Sequence, residues 1–177
     1  MTGPDPRPLL LLDVDGVLVP FGFAPGGRPA GTVLTVHGFE QVVLATAATH
    51  LRTLAEHFAV TWCTGWREAA NEHLLDALGL TSPLADVVFP PELAVVPQAS
   101  WKLRAIDQHA GADAPLAWVD DAFDADCERW AAERPGETHL ERTDSAVGLT
   151  DGGVASLVAF AHAVRSGRAT SSRGPAR

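Results

Sequence analysis

The stretch "LLLLDVDGVLVP", Leu9 to Pro20, decides the fold. Its leucine run leads straight into Asp13, Asp15 and Gly16. A short apolar run without polar alternation is the pattern of a strand buried on both faces, as in the middle of a parallel sheet. Carboxylates are costly to bury unpaired, so a strand that ends in a pair of them needs a compensating partner. Gly16 lets the chain leave the strand tightly.

Outward from this stretch, short apolar runs alternate with helical patterns, which predicts a parallel sheet covered on both faces. Leu9 to Val14 is the first strand. Val17 to Val19 and Val33 to Val36 flank "PFGFAPGGRPAGT", which reads as a hairpin over about residues 17–36 with a Gly/Pro-rich tip. Val43, Ala47, Leu51, Leu54 and Phe58 share one face of a helix expected over Glu40 to Phe58. Ala59 to Cys63 is a second strand. A helix follows from Arg67 to Leu78, stopped by Gly79. Leu84 to Phe89 is a third strand, ended by Pro90 and Pro91. Ser100 is expected to cap a helix running to His109.

"PLAWVDD", Pro115 to Asp121, is a fourth strand that again ends in two acids. A helix over Ala122 to Ala132, a strand over Thr138 to Arg142 and a helix over Gly153 to Val164 complete the order. The expected fold class is α/β, a doubly wound (Rossmann-like) three-layer sandwich whose parallel sheet has about five strands. It forms a single domain over residues 1–165, and the polar, basic residues 166–177 are expected to be a disordered tail.

Composition narrows the function classes. The chain has 177 residues, of which 46% are hydrophobic and 20% charged, so it carries enough apolar material for a core. A net charge of −9 lacks the broad basic footprint of a nucleic-acid binder. Cys63 and Cys127 have neither a disulfide framework nor zinc-ligand spacing. No apolar run reaches the length of a membrane span. The leucine run is too short for a signal-peptide core, and a cytoplasmic location is expected.

Ligands of open parallel sheets bind beyond the carboxyl ends of the strands. Asp13, Asp15, Thr64, Asp120 and Asp121 all fall at such ends, and Lys102 opens a helix on the same side. Clustered carboxylates raise one another's pKa, and a divalent cation relieves the repulsion. Magnesium (Mg2+) takes oxygen ligands, commonly one or two carboxylates together with substrate phosphate oxygens. Asp13 and Asp121 are the expected side-chain ligands. Asp120 would act directly or through water, and Asp15 through its backbone carbonyl. A carboxylate facing a phosphate can also attack it, which makes Asp13 the candidate nucleophile and Asp15 the candidate acid/base. Thr64, Gly65 and nearby N–H groups would hold the phosphoryl oxygens, with Lys102 offsetting their charge.

These residues resemble the haloacid dehalogenase (HAD) superfamily, whose motifs occur here in order. "DVDGV" matches the first, "WCTGW" the second, Lys102 the third and "WVDD" the fourth. The resemblance covers Leu9 to Val164 and implies a phosphatase. Asp15 favours phosphoryl transfer, because the superfamily's dehalogenases lack the second aspartate. "TGWREAAN", "SWK" and "GLTDGG" resemble small actinobacterial members of the superfamily. Neither interval between motifs has room for a cap domain. The resemblance therefore suggests an open site and a large phosphorylated substrate, or a lid supplied by a partner.

The leading expectation is a magnesium-dependent phosphatase. A nucleotidase or nucleic-acid end phosphatase is the alternative enzyme, with nucleic acid not favoured by the charge. From another class come a non-catalytic binding module and a phospho-acceptor module. The acid-free end of "ADVVF" opposes the phospho-acceptor reading. The five tryptophans are expected mainly in the core, with Trp66 and Trp101 nearest the site.

Overall fold

The computed structural model describes residues 7–93 and 96–171. The chain runs through β1 (Leu9–Leu12), β2 (Gly31–Val36), β3 (Phe39–Leu44), α1 (Ala47–His57), β4 (Ala59–Trp62) and α2 (Glu68–Leu78). It continues through β5 (Ala85–Asp86), a 3-10 turn (Ala99–Lys102), α3 (Leu103–Ala110) and β6 (Leu116–Asp120). The last elements are α4 (Ala125–Glu133), β7 (Thr138–Arg142) and α5 (Asp151–Ser171).

The leucine run is the middle strand of a five-stranded sheet ordered β5-β4-β1-β6-β7, and every pairing is parallel. Its side chains alternate between two cores. Leu10 and Leu12 pack with Leu51 and Leu54 of α1, Leu74 of α2 and Leu157 of α5. Leu11 faces the other way, among Ile106 of α3, Trp118 of β6 and Cys127 of α4. Helices therefore cover both faces, as expected for a doubly wound sandwich. Burying one leucine contributes about 1.5–3 kcal/mol, so β1 anchors a strand end that carries charge. His50 and Asp151 join α1 to α5, with 2.7 Å between Nε2 and Oδ1. No helix among the described residues is long and apolar enough to cross a membrane.

The hairpin lies later in the chain than its expected position over 17–36. β2 pairs with β3 in antiparallel register, Gly31 opposite Leu44 and Val36 opposite Phe39. The turn is His37-Gly38, with φ of 51° and 84°. Two consecutive positive φ values give the tight turn whose twist suits a hairpin. Val17 to Val19 instead fold back on the strand end, where the N–H groups of Val17, Leu18 and Val19 all donate to the Val14 carbonyl. The helix expected from Glu40 accordingly starts at Ala47, because β-branched Val42 and Val43 pair in β3.

The third strand is also shorter than expected, two residues rather than Leu84 to Phe89. It is an edge strand, and the prolines that follow cannot extend its ladder. The last helix is longer, because residues 166–171 continue α5 instead of starting a tail. The rest of that expected tail, 172–177, lies outside the described residues.

Candidate functional site

The parallel register aligns three strand ends. Leu12 lies opposite both Trp62 and Val119, so Asp13, Cys63 and Asp120 leave the sheet along one edge. The Asp13 N–H donates to the Val119 carbonyl and the Cys63 N–H to the Leu12 carbonyl.

Lys102 reaches this edge from the end of the 3-10 turn. Its ammonium donates to Asp13 Oδ2 at 2.6 Å and to Asp120 Oδ2 at 2.7 Å. The turn is pinned to the loop after β6 by the Ala99 N–H on the Ala122 carbonyl and by Ser100 Oγ on Asp124 Oδ2. Ser100 thus uses its hydroxyl across the site's base instead of capping its own helix. Asp124 is the side-chain N-cap of α4, accepting from the Asp126 and Cys127 N–H groups.

Lys102 is only 4% exposed. Burial alone would favour loss of its proton, but Asp13 and Asp120 outweigh that and hold its pKa above the ordinary lysine value. One ammonium does not balance four carboxylates. Burial, with the Asp13 charge added, pushes Asp120 up to about 7 despite Lys102. Asp15 and Asp121 are also raised, in each case mainly by burial. Oxygens of Asp13, Asp120 and Asp121 lie within 4.8 Å of one another, so the cluster could hold a metal ion.

These groups open into a cavity of about 230 Å³. Asp13, Asp15, Gly65, Lys102, Asp120 and Asp121 line it, with Phe21 and Trp101 on its apolar side. The two oxygens of Asp13 are both engaged, Oδ2 by Lys102 and Oδ1 by the Val14 N–H at 2.7 Å. Asp120 is fully buried and also accepts from the Ala122 N–H. Gly16 has φ +66°, and a Cβ there would sit 2.4 Å from Cγ of Asp121. The Gly16 carbonyl accepts from the Thr143 hydroxyl at 2.7 Å, which fixes the turn below the acids.

Of the residues expected at the site, Gly65 lines the cavity directly, whereas Thr64 is buried and its hydroxyl accepts the Trp66 N–H at 3.2 Å. Thr64 shapes the turn that presents Gly65. Trp66 was expected near the site mainly as packing; its indole N–H in fact donates to Asp15 Oδ1 at 2.9 Å. A tryptophan next to a strand end ordinarily reads as packing, and only the fold brings it to an acid. Thr143 was missed for the same reason. Arg67, the residue before α2, turns its guanidinium to the carbonyls of Phe89, Pro90 and Leu93. Arg142 bonds the Phe123 carbonyl and Glu128.

No curated protein matches the chain. A family model described as the HAD domain in Swiss Army Knife RNA repair proteins matches residues 9–154. The match runs from the leucine strand into α5 and takes in all four motif segments, at Asp13, Thr64, Lys102 and Asp120. The chain therefore belongs to this family, a branch of the HAD superfamily and hydrolase in type.

Proposed function

We propose that the protein is a magnesium-dependent phosphomonoester hydrolase that works through an aspartyl-phosphate on Asp13. The observation that carries the reading is the lysine-bridged acid cluster at the cavity floor, Asp13 and Asp120 sharing Lys102 beside Asp121. Four carboxylates against one ammonium suit a divalent cation. Asp13 and Asp121 would hold it, with Asp120 directly or through water and Asp15 through its backbone carbonyl. When bound, the cation would neutralise charge on the phosphate oxygens.

The chain's own residues do the rest. The engaged oxygens of Asp13 fix its carboxylate for attack on phosphorus. As that P–O bond forms, the bond to the leaving oxygen breaks, and Asp15 gives its proton to that oxygen. The raised pKa of Asp15 favours its starting protonated. Asp15, now ionised, takes a proton from water, and the resulting hydroxyl attacks the phosphoryl group. The bond to Asp13 breaks, releasing phosphate and restoring both acids. Lys102 and the backbone around Gly65 offset the phosphoryl charge.

The test is hydrolysis of an aryl phosphate with and without magnesium. Turnover should require magnesium and fall at least about a thousand-fold in Asp13→Asn. Magnesium-dependent turnover that survives this substitution overturns the mechanism.

A second reading, removal of a phosphate from a nucleotide or an RNA end, is favoured by the family's RNA repair description. Phe21 and the segment Val96 to Ala99 stand around the cavity, and the hairpin lines a hollow next to it, with no further domain over either among the described residues. A panel of mononucleotides and 3′- or 5′-phosphorylated oligonucleotides separates the two readings by relative kcat/KM.

A further inference from the structure

A second hollow, of about 330 Å³, adjoins the catalytic cavity, and Gly65 lines both. Its walls come from the hairpin and the start of α2, chiefly His37, Phe39, Gln41 and Trp66. None of its lining residues is an acid, a lysine or an arginine, in contrast to the charged cavity next door. Phe39 is 71% exposed, so its ring is available to a ligand. His37 sits at the tight turn with φ 51°, a conformation that favours Asn or Gly. Its ring meets that of His73 edge-on at 5.9 Å. Trp66 lines this hollow, and its indole N–H is bonded to Asp15, which lines the catalytic cavity.

We propose that this hollow is the subsite for the nucleobase attached to the phosphate being cleaved. The inference rests on the nucleotide form of the phosphatase reading. Flat aromatic rings stack any base, and each stacked base adds substantially to affinity. His37 and Gln41 offer donors and acceptors to a base edge. A chain with net charge −9 is poorly suited to gripping a polyanion by its backbone, and an uncharged aromatic groove grips the base instead. Continuity through Gly65 leaves the sugar to bridge the two hollows. A base seated there packs against the residue that holds the general acid, so occupancy and proton transfer share one side chain.

The test uses Asp13→Asn protein with magnesium, titrated calorimetrically with 5′- and 3′-AMP and with glycerol phosphate. AMP should bind at least about tenfold more tightly than glycerol phosphate. Adding Phe39→Ala should cut that preference by about tenfold, and Phe39→Tyr should retain it. Equal affinities for AMP and glycerol phosphate overturn the proposal, as does a preference that Phe39→Ala leaves intact. A dimer in sedimentation that Phe39→Ala dissolves also overturns it, because a second copy would then cover the hollow. Turnover is scored separately with Asp13 present. A preference for AMP without turnover overturns the phosphatase reading and supports the subsite.

Discussion

Trp66 shows what a single side chain adds to the acid pair. Its indole N–H stabilises the ionised form of Asp15, working against the burial that raises that carboxyl. Trp66→Phe removes the bond and should raise the pKa of Asp15 further. Asp15 would then stay protonated to higher pH, so the alkaline limb of kcat against pH should move upward. An unmoved or lowered limb in a pH–rate profile would rule out this coupling. The acids and Lys102 were legible because their chemistry needs those residue types, and spacing set them at strand ends. The bonds of Trp66 to Asp15 and of Thr143 to Gly16 were not, because a hydrogen bond between residues 51 or 127 positions apart depends on the finished fold. Thr64 and Gly65 were both expected to meet phosphoryl oxygens; Gly65 lines the cavity, whereas the Thr64 hydroxyl is taken by the Trp66 N–H, a partner that only the folded turn supplies.

The turn after β1 works by close approach. Gly16 has a left-handed φ and leaves no room for a side chain against Asp121. Gly16→Ala should lower stability by about 1–2 kcal/mol through the backbone alone. It should also displace Asp121, weakening magnesium binding at least about tenfold, more than the stability loss accounts for. Denaturant melts and magnesium titrations check the two effects separately, and unchanged magnesium affinity would contradict the link. Among the elements, the strands ending in acids could be read because an unbroken apolar run has few alternatives. The hairpin was misplaced because Val43 also fits a helical stripe with Ala47 and Leu51. His37-Gly38 is also a weaker turn signal than Asn-Gly. Tertiary pairing of β2 with β3 decided between the two periods.

Across the molecule, the acid cluster links stability to pH and metal. Without a cation, Asp15, Asp120 and Asp121 hold protons more tightly folded than unfolded. Stability should therefore fall as pH rises from the ordinary carboxylate value of 3.8 towards the value of about 7 for Asp120. The slope is about 1.4 kcal/mol per pH unit for each proton so held. Lys102 titrates above this window and does not offset the loss. Magnesium would bind the ionised cluster of the folded state, so the Tm gain on adding it should be larger at pH 8 than at pH 5. Thermal melts in chelator and in magnesium measure this, and a larger gain at pH 5 would refute it. Lys102 also ties the end of β1 to the end of β6 through Asp13, the proposed nucleophile, and Asp120. A descendant that drifted away from catalysis could not shed one of these residues in isolation, since the survivors would be left buried and unmatched. Loss of activity in this lineage should therefore appear as joint replacement of Lys102 with its acids, and a lysine kept without them would mark an unstable chain.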